Sequence, residues 1–311
     1  MVNIGIIGLG AMGQNHLRNI NLIRNANLVF LYDYDIEKAN SLAEKYNSIA
    51  LEDIAHLPKE TDAIIISSPT STHYSYIKEI APKIKYIFVE KPLTKDLESS
   101  ISAMQIFDNY KNRVQIGFIE RYNDAVNTLK NLLANTEKVI NIDFIRTNKI
   151  SSRIEDVDVI IDLMIHDIDL AIYLNGYPEK IQSYGYKKNG TIDYARAIFK
   201  HSNGVYSNIV ASRVTEKKIR QIYATCEDMY IDANLLSKEV LVNKQTVQQY
   251  LDNISITSKT ESIFVSSQEN LLSELLDFMK LCEGEQIIVP NPKDALNAIK
   301  AAEEINKQIL C

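Results

Sequence analysis

Short apolar runs alternate with amphipathic stretches through the first 120 residues of the chain. "VNIGIIG" (2–8), "NLVFLYD" (27–33), "DAIIISS" (62–68), "YIFVE" (86–90) and "VQIGF" (114–118) each read as a buried strand. Between them, 11–24, 36–46, 73–81 and 96–111 read as helices by the spacing of their apolar residues. Apolar strands alternating with helices predict a parallel sheet covered on both faces, an α/β domain over 1–120. The pattern then changes. After a helix over 122–133, segments 138–147, 180–187, 193–200, 204–213 and 219–225 read as strands, with "KHSNGV" as a hairpin turn. Segments 267–283 and 293–309 read as helices. This predicts a second, α+β domain over 121–311, with its last helix available to pack back on the first domain.

Composition narrows the class. The chain has 311 residues, 46% hydrophobic and 24% charged, ordinary values for a soluble globular protein of two domains. A formal net charge of −6 argues against a nucleic-acid partner, which calls for a basic excess. Cys226, Cys282 and Cys311 are widely spaced and give no disulfide framework, which suits a reducing compartment. The N-terminus passes directly into the first strand, with no basic segment followed by an apolar one. No apolar stretch nears the roughly 18–20 residues needed to span a bilayer. These features predict a cytoplasmic protein with a small-molecule substrate and no membrane partner.

Candidate chemistry begins at the first strand–helix junction, Gly8-Leu9-Gly10-Ala11-Met12-Gly13. A lone GxGxxG is weak, but this one follows a strand, opens a helix, and is followed twenty residues after Gly13 by Asp33 at the second strand end. Gly8 permits the turn, Gly10 admits a pyrophosphate, and Gly13 lets helix pack on strand, with helix N–H groups offered to the phosphates. Asp33 would accept ribose hydroxyls and repel a 2′-phosphate. No Arg follows it, only the more distant Lys38, so NAD is favoured over NADP. The plainer alternative is a Gly-rich turn beside a surface acid.

"SSPTSTH" (67–73) and "EKP" (90–92) end two further strands, at the sheet edge where open α/β folds bind ligands. Thr72 is placed to cap the next helix. Ser68, Pro69, Thr70 and His73 would face the cofactor, or else form a capped helix start with an ordinary exposed His. Pro92 restricts the backbone of Lys91, so that side chain is aimed in a fixed direction, toward the cleft.

The ordered set GLGAMG, Asp33, SPTSTH and EKP, with "DLMIHDIDL" at 162–170, resembles the glucose–fructose oxidoreductase/inositol dehydrogenase family. The resemblance implies an N-terminal Rossmann domain, and a C-terminal α+β domain with a large, mainly antiparallel sheet that mediates homodimers or homotetramers. It implies NAD as cofactor, held by Gly8, Gly10, Ala11, Met12, Gly13, Asp33, Ser68, Pro69, Thr70, His73, Glu90 and Lys91. The catalytic set it implies is Lys91, Asp162 and His166, with Lys91–Pro92 expected in the cis form. The residues agree: Asp162 and His166, four apart, share a helix face, and a His oriented by a carboxylate suits a general base near neutral pH. The alternatives are a surface i,i+4 pair, or metal binding by Asp156, Asp158, Asp162, His166, Asp167 and Asp169. Zinc-type spacing is absent from the sequence, and no metal is expected.

"GFIERYNDAV" (117–126) and the basic "SRVTEKKIR" stretch (212–220) resemble segments of the members that oxidise UDP-N-acetylglucosamine, or its uronic acid, at C3. Tyr122 and Asp124 depart from the "ERFNPAV" form of that segment. The likeness implies substrate contacts from Arg121 and Asn123 as well as from Lys91, Asp162 and His166. The plainer reading is that Glu120, Arg121 and Asn123 organise the turn into the next helix. Arg213, Lys217, Lys218 and Arg220 suit either a substrate pyrophosphate or a solvated sheet edge. The rival functions are an inositol or free-sugar dehydrogenase and a non-catalytic dinucleotide sensor.

Overall fold

Every residue from Ala63 to Ile66 is fully buried, because the sheet they belong to is covered on both faces. The computed structural model describes residues 1–148, 158–250 and 253–310. Its first sheet is built from β1 (Val2–Ile7), β2 (Ala26–Tyr32), β3 (Ile49–Ala50), β4 (Ala63–Ile66), β5 (Tyr86–Glu90) and β6 (Arg113–Gly117). All pair in parallel, in the order β3-β2-β1-β4-β5-β6. Helices α1 (Ala11–Ile20), α2 (Ile36–Lys45), α3 (Thr70–Ile80) and α4 (Leu97–Tyr110) connect the strands. This is the Rossmann order, with its switch point between β1 and β4. Asp35 and Asp96 cap α2 and α4 through bonds to Lys38 N and Ser99 N. Helix α3 starts at Thr70 with Pro69 as its cap residue, and Thr72 lies inside the first turn with its hydroxyl on the Pro69 carbonyl. Thr72 is therefore not the cap residue that the sequence suggested.

The second sheet holds eight strands, β7 (Val139–Thr147), β8 (Lys180–Lys188), β9 (Thr191–Lys200), β10 (Tyr206–Ser212), β11 (Ile219–Cys226), β12 (Met229–Asn234), β13 (Glu239–Tyr250) and β14 (Asn253–Ile263). Their order is β14-β13-β12-β11-β7-β10-β9-β8. Only the β7–β10 pair is parallel. One face is covered by α5 (Asp124–Leu133), α6 (Ile165–Asn175) and the distal part of the last helix. A turn of π-helix, Ile160–Met164, leads into α6, marked by the bond from Ile165 N–H to the Ile160 carbonyl. Strands β3, β12, β13 and β14 have no counterpart in the sequence reading, although β12 buries Met229, Ile231 and Ala233 and β13 buries Val240 and Val242 in alternation before its polar stretch.

The chain crosses between these two units more than once. Met1–Ile119 belongs with Glu269–Leu296, and Glu120–Gln268 belongs with the segment from Asn297 onward. The helix that returns to the first unit is thus α7 (Asn270–Cys282), while most of the last helix, α8 (Pro292–Leu310), stays with the second. The cause is apolar. Leu271, Leu275, Phe278, Met279 and Leu281 of α7 join the core formed by β1, α1 and Phe88. Each such side chain contributes roughly 1.5–3 kcal/mol when fully buried. Cys226 and Cys282 are free thiols, and Cys311 lies outside the described residues. Among the described residues, no helix is long and apolar enough to cross a membrane.

Helix α7 also carries an acid into this core. Glu274 is fully buried, and neither of its carboxyl oxygens has a hydrogen-bond partner among the described residues. Burial, and then the nearby Glu90, push its pKa well above the usual carboxylate range, so the folded chain holds a proton there that the unfolded chain releases from about pH 4.3 upward. The contribution of Glu274 to stability therefore falls as pH rises from that range to the raised folded value. We predict that Glu274→Gln, which keeps the neutral shape, gains stability over the wild type progressively between pH 5 and pH 9. Urea midpoints measured across that range check this, and parallel curves would refute it.

Candidate active site

At the switch point, the turn after β1 opens a cavity of about 740 Å³. Gly8, Gly10, Ala11, Met12, Asp33, Ser68 and Pro69 line it, together with Tyr34, Lys38, Ser67, Thr72 and Tyr76. The three glycines have different physical reasons. Gly8 sits at φ +91°, and a Cβ there would lie 2.4 Å from Ser68 N. At Gly13 a Cβ would be 1.9 Å from the Gly8 carbonyl oxygen, so this residue is set by helix-on-strand contact. At Gly10 a Cβ would meet nothing within 4 Å; it would project into open space at the helix N-terminus. Helix α1 has no side-chain cap and no acid in its first turn, which leaves its amides suited to an anion. This cradle fits the pyrophosphate of a dinucleotide.

Asp33 is part of the same construction. Its carboxylate accepts the Leu9 N–H at 2.6 Å and the Asp35 N–H at 3.0 Å, and Lys38 Nζ stands 3.7 Å away. Each carboxylate oxygen has a second lone pair to offer, so a ribose hydroxyl can still be held. Tyr76 packs edge-on to Tyr32 at 6.0 Å, and burial, then Tyr32 and Asp33, push its phenol up to about 12. No spacing rule points to Tyr34 or Tyr76; the only signal is that Tyr34 directly follows Asp33.

Of the residues expected at the cofactor, Gly13, Thr70, His73, Glu90 and Lys91 do not line this cavity. His73 is 1% exposed and turned inward, with Nε2 2.8 Å from the Ser68 carbonyl and Nδ1 3.1 Å from that of Pro92. Burial lowers its pKa. Glu90 is buried against His16, its Oε1 2.7 Å from Nε2. Thr70 opens α3 without lining the cavity. A sequence pattern gives the strand end but not which side of it each side chain takes. Lys91 follows Glu90 directly, and Lys91–Pro92 is cis.

In the second unit, Asp162 lies in the π-turn and His166 in the first turn of α6, both partly exposed. The helix carrying them is fixed by a buried ion network. Arg146 of β7 is 1% exposed and donates to both oxygens of Asp167, at 2.7 and 2.8 Å, and to Glu120 at 2.8 Å. Arg220 adds a bond to Glu120 at 3.2 Å. Burial pulls the Arg146 guanidinium down, but Asp167 and Glu120 outweigh it and raise its pKa above the arginine value. Burial likewise disfavours ionised Glu120, yet Arg146 and Arg220 hold its pKa below the usual range.

The "ERYN" residues serve this network. Arg121 donates to both oxygens of Asp169, at 2.8 and 2.6 Å, and lies 4.5 Å over the Tyr173 ring. Asn123, 1% exposed, accepts the Ala125 N–H as the cap of α5 and donates to the Leu235 carbonyl. Both were expected at the substrate; the structure places Arg121 on Asp169 and Tyr173 of α6, and Asn123 at the start of α5. The basic cluster divides too. Arg213 is buried beside Asp193 at 3.5 Å and Arg220 belongs to the ion network, leaving Lys217 and Lys218 exposed. Of the acids weighed for a metal, Asp158 accepts Ile192 N–H and the Asn306 amide, and Asp167 and Asp169 pair with arginines. Asp156 lies outside the described residues.

A Rossmann unit whose glycine turn is open to a pyrophosphate and whose second strand ends in an acid defines an NAD-binding oxidoreductase. Comparison with known proteins gives the family. Residues 2–118 match the oxidoreductase family, NAD-binding Rossmann fold, and residues 146–231 match the GFO/IDH/MocA C-terminal domain. The chain belongs to the GFO/IDH/MocA family. It is 26% identical over 277 residues to UDP-N-acetylglucosamine 3-dehydrogenase of Acidithiobacillus ferrooxidans, covering 88% of this chain and 87% of that one. It is 28% identical over 235 residues to an NAD(+)-dependent scyllo-inositol 2-dehydrogenase of Bacillus subtilis, covering 69% and 68%. The solved structure of the Acidithiobacillus enzyme superposes with a TM-score of 0.89 at 24% identity, over 99% of this chain and 97% of that one.

The glycines separate binding from folding. Gly10→Val should leave stability within about 0.5 kcal/mol while weakening NAD binding at least tenfold. Gly13→Ala should lower the melting temperature instead. Calorimetric NAD titration alongside thermal unfolding reads both, and unchanged NAD affinity in Gly10→Val would remove Gly10 from the site.

Proposed function

We propose that the protein oxidises a secondary alcohol of a sugar with NAD⁺, and that its substrate is UDP-N-acetylglucosamine or the corresponding uronic acid, oxidised at C3. The observation that carries this is the pairing of the open Gly10 cradle with a likeness to the UDP-N-acetylglucosamine 3-dehydrogenase along 88% of the chain. NAD supplies the hydride acceptor. The chain's residues manage charge and proton. Lys91 hydrogen-bonds the alcohol oxygen and stabilises its developing negative charge. His166 takes the hydroxyl proton, and Asp162 orients His166 and steadies the charged imidazole.

A second reading has its own support. Arg121, Asn123, Arg213 and Arg220, the groups that spoke for a sugar nucleotide, are engaged inside the second unit, and relatives include inositol dehydrogenases. Inositol or a free sugar is therefore the alternative substrate. Mixing the protein and NAD⁺ with UDP-N-acetylglucosamine, its uronic acid or myo-inositol, with and without 2-oxoglutarate, and following reduced-nicotinamide absorbance and product mass, separates the two. A 3-keto sugar nucleotide is the expected product; reduction with inositol alone would replace the substrate. Lys91→Met and His166→Asn should each lower turnover by about 10²–10⁴-fold, and normal turnover of either would remove that residue from the catalytic set.

The chain acts as a homodimer or homotetramer in this reading. Tyr184, Tyr186, Tyr206 and Tyr230 stand on the open face of the eight-stranded sheet and are 66%, 56%, 45% and 39% exposed. Such a surface suits association. Sedimentation velocity should give a dimer or tetramer that Tyr184→Arg with Tyr206→Arg dissociates; a wild-type monomer would refute it.

A further inference from the structure

Two histidines of the nucleotide-binding unit are buried and hold no place in the cavity, yet both grip the backbone around Lys91. His16 of α1 is fully buried and stands edge-on to Phe88 at 5.1 Å, which in turn meets Phe278 at 5.5 Å. Its Nε2 is 2.7 Å from Glu90 Oε1, and the other oxygen of Glu90 accepts the Lys91 N–H at 3.2 Å. Opposite Glu90 in the β5–β6 register is Gly117, where a Cβ would be 2.8 Å from Oε2. The carboxylate thus fills the space a side chain would take, and the aromatic stack keeps the imidazole against it. On the other side of Lys91, His73 Nδ1 lies 3.1 Å from the Pro92 carbonyl and 3.3 Å from that of Leu93, while Nε2 reaches the Ser68 carbonyl at 2.8 Å. A neutral imidazole has one N–H to donate, and in its Nδ1–H tautomer the ring holds the loop after β5.

We propose that His16 and His73 are positioning residues for Lys91, the first acting through Glu90 on the Lys91 peptide N–H and the second on the carbonyls of the two residues that follow. The inference rests on the reading of Lys91 as the group that meets the alcohol oxygen. A lysine tip on a four-carbon stem has many rotamers, so its placement starts with a fixed Cα. Sites of this kind tolerate errors of about 0.5 Å, and a 1 Å displacement costs about 10²-fold in rate. The two grips act from opposite ends of the same short segment, which fixes both its height over the sheet and its rotation.

The test uses His16→Ala, His73→Ala and the amide-bearing His16→Gln and His73→Gln, each alone and combined with Lys91→Met. Amide hydrogen exchange over residues 88–95 needs no substrate. It should quicken in the Ala variants and recover in part in the Gln variants, while peptides of β7 to β10 stay unchanged. With UDP-N-acetylglucosamine, each Ala variant should lower kcat about 10–100-fold and leave the NAD⁺ dissociation constant within about twofold. In the Lys91→Met background the same changes should add nothing further. Unchanged exchange over 88–95, or equal losses with and without Lys91, would overturn the positioning role while leaving Lys91 catalytic. Normal turnover of Lys91→Met alone would instead overturn the reading of Lys91, and the proposal with it. If an Ala variant does not fold, its Gln counterpart carries the same comparison: quickened exchange over 88–95 with a lowered kcat that adds nothing in the Lys91→Met background supports the proposal, and unchanged exchange or additive loss overturns it.

Discussion

A guanidinium cannot be taken out of water alone, and the second unit is arranged around that fact. Arg146 stands in the middle of the eight-stranded sheet and is met by Asp167 from α6 and Glu120 from the entry to the unit. Removing one partner from a buried pair of this kind costs about 3–5 kcal/mol, because the remaining charge is left without compensation. The pairing therefore specifies arrangement. Asp167 and Asp169 are neighbours of His166, and their arginines fix the rotation of α6 about its axis. The direction in which His166 leaves the helix follows from charges that take no part in chemistry.

In the first unit the same task is done by shape and backbone. Gly13 lets α1 approach the turn after β1 to a distance no side chain permits, Gly8 does the same for that turn and the loop after β4, and Gly10 leaves the helix end open. Glu90 and His73 then hold the loop after β5.

How much of this was legible follows from what a one-dimensional pattern encodes. The parallel sheet could be read because its strands are apolar runs with few polar positions, β4 having none, and the nucleotide turn because Gly8, Gly10, Gly13 and Asp33 are each dictated by a local steric or electrostatic need. The pairings of Arg121 and Asn123 could not be read because their partners, Asp169 and Leu235, are distant in sequence. His73 followed the same logic: a His at a helix start looks exposed until the carbonyls of a separate loop close over it. Strands β13 and β14 carry polar residues in a sheet whose two-residue rhythm is blurred at its edge. The π-turn before α6 was invisible because one extra residue in a helical turn leaves the apolar spacing nearly intact.

The excursion of the chain through the second unit has a consequence for biosynthesis. Domains generally fold in the order in which they leave the ribosome. Here the first unit cannot complete its core in that order, since Leu271, Leu275, Phe278 and Met279 emerge only after all of Glu120–Gln268 has been made. The nascent nucleotide-binding half waits with the α7 side of its sheet uncovered, while the eight-stranded half, which lacks only the segment from Asn297, is already largely synthesised. Completion of the two cores is thus nearly simultaneous, once α7 and the segment from Asn297 have both been made.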